Sequence, residues 1–374
     1  MRLAWIGRKP TYWFAALDVT QHYIRWMLKP VKIDVLSSDH KEAYDNFLAK
    51  TESSLLYYSS QYRDLLLDLL NCEQHYLLAS DSKSIRGVMP LLYVRHGGRR
   101  LYNSLPYYGS NGGILAESEA AYHQLALAYA SIAQSPTTIA STSVSNPFSR
   151  LMPSRPIHNH IERRINQCTH LSPTDAEQGV LMSRIDSSAR RNVKKALANG
   201  ITVAKECDQL DRLRAMHQAN MRAIGGLGKS TDFFAKVPKY FSAGRDYDLY
   251  VARRDNLIVA ALLVFYFGHT AEYFTPVVDE AYRTFQPLAL ILINAMSDAA
   301  RQGVRRWNWG ATWPTQTGVY RFKRKWAAIE RNYNYYCQLN DESLLDWTTS
   351  QLQNAFPGFF VVPYTALRER TLSV

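Results

Sequence analysis

The chain has 374 residues, 47% hydrophobic and 20% charged, with 44 Lys and Arg against 32 Asp and Glu, a formal charge of +12. That length accommodates one large or two medium domains, and the apolar fraction excludes a disordered chain. The excess of positive charge favours anionic partners (nucleic acid, anionic lipid or phosphorylated small molecules) without choosing among them.

Residues 1–33 form a basic, aromatic extension in which Arg2, Arg8, Lys9, Arg25, Lys29 and Lys32 interleave with Trp5, Trp13, Tyr23 and Trp26. A helix over 13–28 would put Trp13, Ala16, Tyr23 and Met27 on one stripe, suited to docking on the globular body or to contact with a membrane surface or tRNA. Arg8, Lys9, Pro10 and Asp18 interrupt any apolar run here, so the segment does not read as a signal peptide.

Next comes an internal duplication. Residues 75–80, 85–94 and 100–105 read as a three-stranded meander, followed by a glycine-rich loop, a helix near 117–133 and a strand near 138–143. The order recurs as a meander over 248–253, 257–267 and 271–278, a helix over 287–301 and a strand over 305–309. Pro287 sits at the first position of that helix and Gly303 lies just past its end. Between the copies, residues 187–200 (SSARRNVKKALANG) predict a helix with Ser187 as N-cap and Gly200 after its C-cap. Two copies of one supersecondary unit imply an α/β tandem duplication with mixed sheets flanked by helices.

Cys72, Cys168, Cys207 and Cys337 lie far apart, which argues against a disulfide framework or a zinc site and fits a cytoplasmic protein. The longest apolar run, 258–267, is half of the ~20 residues a spanning helix needs, so at most peripheral contact with the inner face of a membrane is expected. No metalloprotease, nucleophile-elbow, Walker or dinucleotide motif occurs. Two basic clusters stand out: Arg190, Arg191, Lys194 and Lys195 on one predicted helix, and Arg321, Lys323, Arg324 and Lys325 within YRFKRKW. Each is either a solvated face or part of a track for a polyanion; lying either side of the second meander, they suit a shared track.

The ordered segments LYYSSQY (56–62), IRGVMPLL (85–92), LYNSLPYYGSNGGIL (101–115), ARRNVKKALANGITV (189–203), FYFGHTAEYFTPVVDEAYRTFQPLALILINAM (265–296), GVRRWNWG (303–310) and GVYRFKRKWAA (318–328) resemble the FemAB/FemX-like aminoacyltransferases of the GNAT superfamily. The resemblance implies two GNAT-like subdomains: 34–165, completed by 335–374, and 166–334. It further implies transfer of an aminoacyl group from charged tRNA to an amine of a cell-envelope precursor, with no cofactor, no metal and no obligate protein partner. The acceptor would be an amine-bearing small molecule or a lipid-linked one. The Phe-Lys step of the family falls on Phe322-Lys323. Lys323 is thereby assigned to the donor end or the developing oxyanion, with Phe322, Arg321 and Lys325 on the donor side. Tyr273, Arg191 and Tyr108 are the acceptor-side candidates, Arg191 through a phosphate. Tyr62 is followed by Arg63 and Asp64, where members acting on peptidoglycan precursors tend to carry a lysine.

Aminolysis of an activated ester needs an aligned amine, a cation or N–H donors at the oxyanion and a path for one proton. Lys323 is the candidate cation, and Phe322 the candidate stacking surface for a terminal base. Two other readings stay open: an acyl-CoA-dependent GNAT N-acyltransferase and a non-catalytic basic RNA- or membrane-surface-binding module. Acyl-CoA enzymes hold pyrophosphate on a glycine-rich helix entry. The corresponding stretch here, 282–287, has no glycine.

Overall fold

The computed structural model describes residues 31–81, 84–107, 109 and 111–368. The helix predicted over 13–28 lies outside them.

The first half contains strand Lys32–Val35 (β1), helices Lys41–Lys50 (α1) and Ser60–Leu70 (α2), and strands Glu73–Gln74 (β2), Leu77–Ser80 (β3), Ile85–Met89 (β4), Leu92–His96 (β5), Arg99–Asn103 (β6) and Leu115–Ala116 (β7). Helix Glu119–Ala133 (α3) follows, capped by the Ser118 side chain, then strands Thr138–Val144 (β8) and His160–His170 (β9). The second half begins with helices Gln178–Arg184 (α4) and Ser187–Ala198 (α5), strand Thr202–Lys205 (β10) and helices Leu210–Ala223 (α6) and Thr231–Tyr240 (α7). Its meander is Tyr247–Arg254 (β11), Leu257–Phe267 (β12) and Thr270–Val278 (β13). Then come helix Pro287–Arg301 (α8), strand Arg306–Thr312 (β14), helix Thr317–Arg324 (α9), strand Ile329–Leu339 (β15) and helix Thr349–Ala355 (α10).

The two halves repeat one plan. In the second, β11, β12 and β13 are antiparallel neighbours, and β14, reached through α8, pairs parallel to β13. In the first, β8, reached through α3, pairs parallel to β6, which is antiparallel to β5. The single strand expected over 85–94 is broken at Pro90 into β4 and β5. Proline has no N–H to give to the ladder. Its partner breaks at the same level: β3 pairs with β4 and β2 with β5, joined by a bond from His75 N–H to Leu91 O at 2.7 Å. The break splits off a four-stranded sheet, β1-β3-β4-β7, from an eleven-stranded one, β10-β11-β12-β13-β14-β9-β15-β8-β6-β5-β2.

Its centre is an exchange. β9, which ends the first half, lies against β14 of the second, whereas β15, which follows the second half, lies against β8 of the first. β9 and β15 pair with each other along nine residues, from Ile329↔Cys168 to Cys337↔His160. Beyond β15 the chain stays on the first half, where Asn103 bonds both the N–H and the carbonyl of Phe360.

α8 is buried almost all round because the β11–β13 meander and α5 cover it, so its sequence is apolar on every face. Strand alternation turns Trp307 and Trp309 of β14 to this side and Asn308 to the other. The α5 cap is shifted by one residue from expectation: Asp186 is the N-cap and bonds Ser188 N–H at 2.7 Å, leaving Ser187 as the first helical residue. Gly200, at φ +71, takes the left-handed position that ends this helix.

Candidate active site

β13 and β14 pair over three residues only, Thr270↔Arg306 to Glu272↔Asn308, and then diverge. A bulge beside β9 at Asn308–Gly310 sets Trp309 in the widening gap. Two cavities open there. One, of about 390 Å³, lies between the diverging strands and the first half, among Tyr57, Tyr107, Arg164, Trp309, Tyr335 and Phe360. The second, of about 720 Å³, opens among Ala189 and Asn192 of α5, the start of α8, and Phe322, Lys325 and Trp326 around α9. Both are lined by Tyr273, Pro276, Val319 and Lys323. They meet at that wall.

Lys323 is 4% exposed. Its Nζ donates to Ala311 O at 2.9 Å, Thr312 Oγ1 at 2.8 Å and, more weakly, Gly310 O at 3.4 Å. All three acceptors are neutral, so the ammonium is hydrogen-bonded without a countercharge, and burial lowers its pKa to about 7. Near neutral pH it exchanges between cation and amine. Phe322 packs edge-on against Trp309, and Tyr273 lies 5.0 Å from the same indole between ring centroids. Burial pushes the Tyr273 hydroxyl pKa well above its ordinary value, so it stays protonated.

The other expected residues scatter. Arg321 and Arg324 are exposed on the outer side of α9 and line neither cavity. Arg191 is exposed on α5 with Lys194 and Lys195, outside both cavities. Arg190 turns inward and donates to Ile185 O at 2.6 Å, closing the end of α4, so three of the four expected cations form the α5 surface patch. Tyr108 lies outside the described residues.

Three groups escaped the sequence reading. Glu272, 1% exposed, accepts from Asn308 Nδ2 at 2.8 Å and from the Tyr57 hydroxyl at 3.0 Å, both at Oε2. Burial raises its pKa to about 7 against those two bonds and the charge of Arg306. Since Tyr57 also lines the first cavity, a proton leaving that cavity has a receiver two bonds away. Arg164, on β9, is held between the rings of Trp313 and Tyr335, at 4.4 and 4.3 Å, and bonds Glu162 at 2.5 Å. One signal was available for Glu272: it is the lone carboxylate within the aromatic run FYFGHTAEYF. Nothing local marks Arg164 or Tyr57.

The model of the acetyltransferase (GNAT) domain family matches residues 183–324, the segment carrying α8, β14 and Lys323. Residues 183–324 match a GNAT-type domain, and the chain as a whole has a FemX-like fold. The crystal structure of FemX superposes with a TM-score of 0.61 at 12% identity, covering 84% of this chain and 98% of FemX. The C-terminal domain of a putative lysylphosphatidylglycerol synthetase from Agrobacterium fabrum gives 0.50 at 11% identity, covering 86% and 99%. A conserved protein of unknown function from Bacteroides thetaiotaomicron gives 0.52 at 8% identity, covering 83% and 100%. No curated protein matches the sequence. Among the described residues of this FemX-like chain, no helix is long and apolar enough to cross a membrane.

Proposed function

We propose that the protein transfers an aminoacyl group from aminoacyl-tRNA to an amine of a small-molecule or lipid-linked acceptor of the cell envelope, at the cytoplasmic side. The observation that carries this reading is the meeting of two cavities at Lys323 and Tyr273. One chamber, with Arg283 and Lys325 on its walls, suits the donor; the other, lined by aromatic rings, suits the acceptor. The fold shared with the C-terminal domain of a putative lysylphosphatidylglycerol synthetase supports an aminoacyl group as cargo and a lipid-linked acceptor.

In this mechanism the amine, held in the first cavity, attacks the ester carbonyl at the shared wall. Protonated Lys323 faces the oxygen on which charge develops. The amine proton passes to Tyr57 as the Tyr57 proton passes to Glu272, and Glu272 returns a proton through Tyr57 to the terminal ribose oxygen as it departs. Phe322 gives the terminal base an aromatic face.

The start of α8 favours tRNA over acyl-CoA. Pro287 has no N–H, the Ala289 N–H already bonds Gln286 O at 3.0 Å, and Gln286 offers no side-chain cap, so little remains to cradle a pyrophosphate. The test offers the purified protein charged tRNA and acyl-CoA together with a panel of amines, and follows which donor is consumed. Amine-dependent loss of the aminoacyl ester is expected. Consumption of acyl-CoA alone would replace this reading with the N-acetyltransferase one, and consumption of neither would favour a binding module.

A further inference from the structure

At the other end of β14 lies a wider cleft of about 1240 Å³, walled by the N-terminal ends of β14 and β15, the C-terminal end of α8 and the loop after α1. From Arg306 to Thr312 the strand spans roughly 20 Å, so this cleft is remote from Lys323. Its charge is one-sided. The two carboxylates on its walls are already committed, Glu52 to Arg150 at 3.0 Å and Glu117 to Arg86 at 3.1 Å. Lys50, Arg305, Arg306 and Arg331 also line it, and among the described residues none has a carboxylate within ion-pair distance.

Arg306 is the informative member. It is 9% exposed, and its guanidinium bonds the Glu52 carbonyl, a neutral acceptor. Arg306 and Arg331 lie over the same Phe148 ring, at 5.1 and 5.6 Å from its centroid, so two like charges share one aromatic base. Glu52 and Glu272 act on Arg306 only through longer-range attraction, so this buried cation, beside a second one, has no ion-pair partner of its own, and a bound anion would complete the site. The same field reaches His170 on the wall: its pKa falls through burial first and then through Arg331, Arg306 and Arg184.

We infer that this cleft binds a small molecule bearing a diphosphate or longer polyphosphate, held by Arg305, Arg306 and Arg331 around Phe148. Four cations without an ion-pair partner call for more than the single charge of a carboxylate. Bidentate guanidinium–phosphate contacts suit arginines gathered this closely. The recess is large enough for a nucleotide-sized ligand, whereas a nucleic-acid backbone is usually met by a cationic stripe along the surface, such as α5 presents.

The test is calorimetric titration of the full chain, at low salt, with inorganic pyrophosphate, orthophosphate and bulk tRNA. Arg305 and Arg331 are exposed, so the double variant Arg305→Ala/Arg331→Ala keeps the fold, checked by circular dichroism. One saturable pyrophosphate site is expected, at least tenfold weaker in that variant and unchanged when Arg191, Lys194 and Lys195 are replaced by alanine. Orthophosphate should bind at least tenfold more weakly than pyrophosphate. No saturable pyrophosphate binding, or equal affinity in the double variant, overturns the inference, as does equal affinity for orthophosphate. A variant that loses tRNA while keeping pyrophosphate affinity makes the cleft a nucleic-acid contact and also overturns it. None of these readouts depends on aminoacyl transfer, so this inference and the proposed function fail independently.

Discussion

Lys323 and Glu272 are both buried, and burial moves their pKa values towards each other, each to about 7. Their effects on stability have opposite signs. Lys323 is fully protonated below pH 7 in both states; between 7 and about 10 the unfolded chain holds the proton and the native one does not, so stability rises with pH. Glu272 behaves in reverse: between about 4.5 and 7 the native state holds the proton, and stability falls as pH rises. Denaturant unfolding across pH 5–10 should show Glu272→Gln losing the acid-side decline and Lys323→Met losing the alkaline-side rise, each change roughly 3–5 kcal/mol over its window. Profiles parallel to wild type would mean that neither group titrates near 7. On the proposed mechanism, in which the Lys323 cation acts on charge that appears in the transition state, Lys323→Met should cost about 10²–10³-fold in turnover with donor affinity nearly kept. Lys323→Arg should recover part of that loss and remove the decline in rate above pH 7, since guanidinium stays charged. Arg324→Ala, on the outer face of α9, should change turnover little. Equal losses at Lys323 and Arg324 would reduce the pair to an electrostatic patch.

Among the elements, α5 separates two roles that its sequence presents as one. Ala189, Val193 and Ala196 fix its inner face, which leaves Arg191, Lys194 and Lys195 outside and turns Arg190 onto the end of α4. If tRNA is the donor, as proposed, replacing the three outer cations with alanine should weaken its binding and reduce the slope of log affinity against log salt by up to about three units, one per lost phosphate contact. Stability should stay near that of wild type. Arg190→Ala should do the opposite, leaving the salt slope alone and destabilising the fold by about 1–3 kcal/mol through the orphaned carbonyls. An unchanged slope in the triple variant would remove α5 from the donor surface. The ends of α8 were legible because Pro287 and Gly303 act through local backbone chemistry. The break at Pro90 was also written locally, yet it was read as one strand, because an apolar run hides a missing N–H. Tyr57 and Glu272 stand 215 residues apart and meet only through the sheet, so no local pattern announces their bond.

At the scale of the molecule, the duplication was readable from repeated strand and helix periods and the resemblance returned residues 335–374 to the first half, but the crossing of β9 to the second half was not legible. Both strands obey the same alternation wherever they pair, and their choice of neighbour is settled by tertiary packing. That exchange ties the halves together at the centre of the large sheet. One hydrophobic cluster likewise runs from Tyr57, Tyr58 and Tyr62 in the first half to Phe233, Phe265 and Val277 in the second. Neither half can unfold without exposing the edge of β9 or β15 and opening this shared core. Loss of either half should therefore be loss of both. The sequence supplies a probe, since between residues 27 and 346 every tryptophan, namely Trp307, Trp309, Trp313 and Trp326, lies in the second half. With Trp5, Trp13, Trp26 and Trp347 replaced by phenylalanine, tryptophan emission reports that half alone, whereas far-ultraviolet circular dichroism reports both. In urea the two signals should trace one transition with a common midpoint, as a single cooperative unit requires. The pair Tyr333→Ala and Phe233→Ala, which opens cavities in the shared cluster from different elements, should each lower that midpoint for both signals equally. A circular dichroism midpoint separated from the fluorescence midpoint would show that the first half melts alone, and the central exchange would then be a contact between independent units.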